Sequence, residues 1–236
     1  VQALHKDQAN AGAFFQVASQ FNLLEMISYH VTPEMGVALY QKDLTQGPAC
    51  AIACGAGTIY RNYFVPVENQ LGQSVDKQID TLAEIGVALG NQNNALWRMQ
   101  NGYLLTDAKA LKKMNSQLSE LSAPECQALV EKLAIGVQWH TQVTLDECQH
   151  TLSQAYCSAL PVSYNALASD LFYPFSQLVL DAAYQATFYA AVLNAKATGN
   201  NRLYLTLLGG GAFGNELSWI ISSIEKSIKQ FQRYNL

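Results

Sequence analysis

The sequence predicts an α/β fold in which strands alternate with helices around a largely parallel central sheet, and three observations carry that expectation. An apolar run, Leu203-Tyr204-Leu205-Thr206-Leu207-Leu208, breaks into Gly209-Gly210-Gly211-Ala212-Phe213-Gly214-Asn215 and then into the helical pattern Trp219, Ile220, Ile224, Ile228. A second apolar run, Ala13 to Ala18, ends in the polar stretch Ser19-Gln20-Phe21-Asn22. Between the two, helical periodicities are separated by strand candidates, the pattern of a layered domain whose ligands sit beyond the C-terminal ends of its strands.

Along the chain, residues 13–22 read as a buried strand with its polar end at such a crevice. Residues 47–60, dominated by Ala, Gly and Ile, read as a helix pressed closely against a sheet or a ligand. The Pro, Asn and Gly content of 65–74 suggests an extended loop. Ile79, Leu82, Ala83, Gly86 and Leu89 recur at helical spacing, as do Leu111, Met114, Leu118 and Leu121. Ser122-Ala123-Pro124-Glu125 matches a capping box with proline in the first turn and predicts a helix through Leu129 and Leu133, ending near Gly136. A strand is expected over 137–143, where Val137, Trp139, Thr141 and Val143 alternate with Gln138, His140 and Gln142. Another is expected over 154–162, followed by a long helix from about 174 to 194, the strand before the glycines and a last helix ending at Phe231.

Composition bounds the function. The chain has 236 residues, 50% of them apolar and 14% charged, which suits one domain with a sizeable core and not a disordered chain. A net charge of −4 leaves no electrostatic footprint for nucleic acid. The most apolar stretch, 178–195, contains Asp181, Gln185 and Asn194 and reads as a buried helix, so no membrane association is expected. The start at Val1, without methionine or a basic-then-apolar leader, is compatible with an excised domain or a processed product. Cys50, Cys54, Cys126, Cys148 and Cys157 are odd in number and lack zinc spacing, which fits a reduced, cytoplasmic compartment and small core residues.

The glycine segment is built for an anion: glycine tolerates positive φ, and closely approaching N–H groups with a helix N-terminus behind them favour phosphate. Gly209, Gly211 and Gly214 also satisfy G-x-G-x-x-G, but a dinucleotide motif opens a domain with further βαβ units and an acidic residue about 20 positions on. Here the chain ends 22 residues past Gly214, and Glu225 falls within the last helix. No Lys-Ser or Lys-Thr follows, against a Walker-type loop. A tight strand-to-helix turn that binds nothing is the alternative.

The strand ending in Phe21-Asn22, the Gly/Ala-rich helix downstream and Leu205 to Gly214 together resemble the macrodomain superfamily, including its poly(ADP-ribose)-glycohydrolase-like branch. The resemblance implies a three-layer α/β/α sandwich with a mixed, largely parallel sheet, a single domain over 1–236, and ADP-ribose or an ADP-ribosylated substrate as partner, with no cofactor. By that resemblance Asn22 would contact the distal ribose, and Gly209, Gly210, Gly211, Ala212, Phe213, Gly214 and Asn215 would hold the diphosphate. The first-loop match is looser, since Ser19-Gln20-Phe21-Asn22 stands where the family has an Asn-Ala-Ala-Asn-like motif.

The family's glycohydrolases carry paired glutamates, and no Glu-Glu pair occurs in this chain. The corresponding region offers Glu25, Glu34, Asp43 and Gln46, then Arg61, Asn62 and Tyr63. Hydrolysis of an ADP-ribosyl bond through an oxocarbenium-like state needs a positioned water and a proton acceptor, and Glu25 and Asp43, beside Asn22, are the candidates. His140 as a base and Arg61 as a phosphate ligand are weighed against structural roles. A non-catalytic ADP-ribose reader, or a binder of another phosphorylated nucleotide or sugar, is the competing expectation.

Overall fold

The computed structural model describes residues 1–236. In chain order its regular elements are α1 (Gln2–Lys6), β1 (Phe14–Ala18), α2 (Gln46–Ala53), α3 (Gly55–Tyr63), β2 (Pro66–Val67), β3 (Gln70–Leu71), α4 (Ala83–Leu89), β4 (Trp97–Gln100) and β5 (Tyr103–Thr106). They continue with α5 (Ala108–Ser119), α6 (Ala123–Val130), β6 (Gly136–Gln142), β7 (Thr151–Cys157), α7 (Tyr173–Thr198), β8 (Leu203–Tyr204) and α8 (Leu217–Phe231). The protein is α/β, with one mixed four-stranded sheet in the order β6-β7-β1-β8. Strand β1 runs parallel to both β7 and β8, and β6 runs antiparallel to β7 at the edge. No helix is long and apolar enough to cross a membrane.

Period-two alternation sends the side chains of β1 to opposite faces. Phe14 joins the largest apolar cluster with Val179 and Ala183 of α7, and Gln16 donates to Thr187 Oγ1 of the same helix at 3.0 Å. Phe15 and Val17 point the other way, toward Cys54 and Cys50 at α2. Helix α7, 26 residues long, is buried on most sides, which suits its weak polar patterning.

Several elements depart from the sequence expectation. The helix expected over 47–60 breaks at Cys54, whose φ −124, ψ 61 is non-helical, into α2 and α3. The loop expected over 65–74 carries the short β2–β3 hairpin. The strand expected over 154–162 is β7 and ends at Cys157. In β6 a bulge falls between Gln138 and Thr141, with His140 at φ 51, so the simple alternation expected there is lost and both Trp139 and His140 are exposed. The β4–β5 hairpin was not anticipated; its turn is Asn101-Gly102, both at positive φ.

The most consequential departure is at β8, where the apolar run 203–208 pairs with β1 through only two residues. The Tyr184 hydroxyl donates to Thr206 O at 2.6 Å and accepts the Leu208 N–H at 3.0 Å, holding this segment to α7. The vacated edge of β1 is closed by the Gln46 side chain, which donates to Gln16 O at 2.9 Å and accepts the Ala18 N–H at 2.9 Å. A crevice opens between the end of β1 and the diverging chain of β8.

Candidate functional site

The crevice has a volume of about 160 Å³, below the roughly 300–1,000 Å³ of drug-sized sites. One wall is the glycine loop, through Gly209, Gly211, Ala212 and Phe213; another is the first turn of α2, through Thr45, Gln46, Gly47 and Pro48. Ser19 and Gln20 at the end of β1, the carboxyl groups of Glu25 and Asp43, and the rings of Tyr103 and Tyr164 complete it. No Lys, Arg or His lines it.

The glycine loop is closed on itself. Gly209 and Gly214 adopt φ 73 and φ 72, and a Cβ at Gly214 would overlap Ser163 Oγ. Asn215 is buried and donates from Nδ2 to Leu160 O at 2.8 Å, while its N–H reaches Gly209 O at 2.9 Å. Asn215, Gly210 and Gly214 therefore shape the loop from outside the lining. The N–H groups of Gly209, Gly211, Ala212 and Phe213 have no acceptor within the chain. Free N–H groups gathered on one loop are donors the fold leaves unused. At Gly211 an added Cβ would meet nothing within 4 Å.

The helix N-terminus expected behind the glycines is a correction. Helix α8 begins at Leu217, after its N-cap Glu216, and none of its residues lines the crevice, because the Asn215 bonds turn the chain away first. Its place is taken by α2, where the N–H groups of Gln46 and Gly47 lack acceptors and Pro48 has none to offer.

Glu25 is 3% exposed and leans on that turn. A Cβ at residue 47 would overlap both the Ala18 carbonyl oxygen and the Glu25 carboxylate, so glycine is what admits the acid. The Glu25 N–H bonds the Tyr40 hydroxyl at 3.0 Å and the Met26 N–H bonds Gln20 Oε1 at 2.6 Å, which fixes the segment. Glu25 Oε1 has no hydrogen-bond partner. Burial pushes the Glu25 carboxyl well above the usual range; Arg61 opposes the shift and the Asp43 charge adds to it. Asp43 is only half-buried and accepts the Thr45 N–H through Oδ1 at 2.8 Å. Two carboxyl groups in unlike environments thus share one crevice.

Three residues weighed in the sequence lie elsewhere. Asn22, fully buried, donates to Gln78 Oε1 at 2.8 Å and accepts the Leu24 N–H at 3.1 Å; it shapes the turn after β1 and does not line the crevice. Arg61 is committed to Leu23 O, Gln138 and Thr58 and stacks 3.4 Å from the Tyr156 ring, so it holds no phosphate here. His140 sits exposed on the β6 bulge, away from the site. All five cysteines are free, and burial raises the Cys54 thiol to about 12 and the Cys157 thiol to about 11, which leaves both unreactive.

Other lining residues were not singled out in the sequence as ligands: Gln20, Gly47, Tyr103 and Tyr164. Asn101-Gly102 between apolar residues is a hairpin signal that would have placed Tyr103 on a strand. Its ring packs 5.4 Å from Phe213 and 4.9 Å from Tyr164, an aromatic wall beside the glycine loop. Protein-family models, curated proteins and solved structures give no match to this chain. Function has to be read from the crevice itself.

Proposed function

We propose that this protein is a macrodomain-like, three-layer α/β/α domain that binds ADP-ribose in the crevice and hydrolyses an ADP-ribosyl bond there. One observation carries the reading: four residues of the glycine loop whose N–H groups lack acceptors line the same crevice as Glu25 and Asp43. The N–H groups take the diphosphate without any cation, and the aromatic wall of Tyr103, Tyr164 and Phe213 packs on the sugar. Glycosyl transfer to water needs one group that gives a proton to the leaving atom and one that takes a proton from water. Glu25, buried and raised in pKa, suits the first role; Asp43, more exposed, suits the second.

The test is calorimetric titration of ADP-ribose into the wild type and Gly211→Glu. Residue 211 has room for a side chain and lacks positive φ, so the variant keeps its melting temperature while its carboxylate occupies the proposed diphosphate site. Micromolar binding, weakened at least roughly 100-fold in the variant, equivalent to about 2.7 kcal/mol, is expected. A folded wild type that binds no ADP-ribose, or releases it to a sugar phosphate at millimolar concentration, overturns the reading. Binding with no release of ADP-ribose from any conjugate leaves a reader and not a hydrolase.

A further inference from the structure

The arrangement of the crevice speaks to which bond is cleaved, and this inference rests on the function proposed above. The site has two chemically unlike ends. At the glycine loop it presents N–H donors alone; at α2 the free N–H groups of Gln46 and Gly47 stand beside carboxyl oxygens without partners, since Glu25 Oε1 has none and Asp43 uses only Oδ1. The Arg61 charge reaches Glu25, but no side-chain cation donates a hydrogen bond to the acidic end. The lining contains no Lys, Arg or His, and the neighbouring Arg61 has its donors on Leu23, Gln138 and Thr58. A buried carboxyl group left with an open acceptor is rare unless something else completes it.

We infer that the substrate is ADP-ribose joined through its anomeric carbon to a guanidine nitrogen, as on an arginine side chain. A guanidinium brings positive charge and several N–H donors in one plane, the complement of two carboxyl groups with free oxygens. An ester to an acidic side chain or an ether to serine brings neither. The leaving group argues against the ester: a carboxylate leaves without a proton, whereas the neutral guanidine freed from a bound guanidinium takes one up, its conjugate acid ionising only above about 12.

The reaction balances within these groups. The water oxygen bonds to the anomeric carbon as the carbon–nitrogen bond breaks, and that electron pair stays on nitrogen. Asp43 takes a proton from the water. Glu25 gives one to the departing nitrogen, which leaves as guanidinium against the new Glu25 carboxylate. Proton return from Asp43 to Glu25 through solvent restores the site, and no metal or redox partner enters.

Release of ADP-ribose from protein conjugates linked through arginine, through an acidic side chain and through serine tests the inference. Release from the arginine conjugate should be at least tenfold faster than from either other. Independently, agmatine titrated into ADP-ribose-saturated protein should bind, and Asp43→Asn should weaken it at least tenfold. Equal or reversed linkage preference, or no agmatine binding, overturns the inference while ADP-ribose binding itself stands. Failure to bind ADP-ribose overturns both the inference and the reading beneath it.

Discussion

Arg61 and Glu25 are both 3% exposed and both ionisable, yet the regions around them are built on opposite plans. Around Arg61, the guanidinium donates to Leu23 O, Gln138 and Thr58 and covers the Tyr156 ring, while Asn22 nearby has both ends of its amide bonded. Around Glu25, one oxygen is shut off from solvent with no partner, a glycine at 47 makes room for the group, and the residue lines an open crevice. Burial alone therefore does not mark a working group. What separates the two groups is that the Arg61 donors are all engaged by the fold while Glu25 Oε1 has no partner, an unmade bond that costs stability.

The largest effect that would sharpen the contrast is on turnover. Glu25→Gln keeps the shape but cannot deliver a proton, so release of ADP-ribose should fall about 10²–10⁴-fold with the circular dichroism spectrum unchanged. Near-wild-type turnover in a folded variant would break the comparison. Arg61→Ala acts on the other region: three acceptors lose their donor and a buried volume empties, so urea denaturation should report a loss of about 3 kcal/mol. Asn22→Ala strands the Leu24 N–H and should cost about 1–3 kcal/mol, with ADP-ribose affinity, measured by calorimetry, within threefold of wild type. A selective loss of turnover in Asn22→Ala at intact stability would move that residue into the site.

The smallest effect is a slope. Because the folded state raises the Glu25 pKa above its unfolded value near 4.5, the native protein holds a proton that the unfolded chain has released, and this acid's contribution to stability falls as pH rises from that point. Glu25→Gln removes the term. Its stability relative to wild type should be near constant below pH 4.5 and then rise by at most about 1.4 kcal/mol per pH unit, levelling once the folded pKa is passed. Tyr40, Cys50, Asp43 and Arg61 also face this group and are unchanged in the variant. A flat difference across pH 4.5 to 8 would show that Glu25 is solvated after all.

How much of this was legible depends on the range of the interaction. The capping box at Ser122 and Glu125 forms as read, because both partners lie within one helical turn. The glycine segment was legible as a tight turn, since positive φ at Gly209 and Gly214 is a local demand. Glu25 and Asp43 were candidates beside Asn22, but nothing local told the committed amide from the open acid. The difference lies in Gln78, a partner 56 residues away, and in the missing Cβ of Gly47.

By itself the sequence determined the alternation of strands and helices, the strand β1 with its polar end, the long buried α7 and the glycine turn, all set by periodicity and backbone preference over a few residues. Only the tertiary structure decided that β8 stops after two residues, through the Tyr184 hydroxyl, and that α2 and not α8 stands at the crevice. It also decided that Glu25, Asp43 and the free N–H groups meet in one place. Those outcomes depend on single hydrogen bonds and close approaches between segments far apart in the chain, and hydrophobic patterning, which is short in range, holds no record of them.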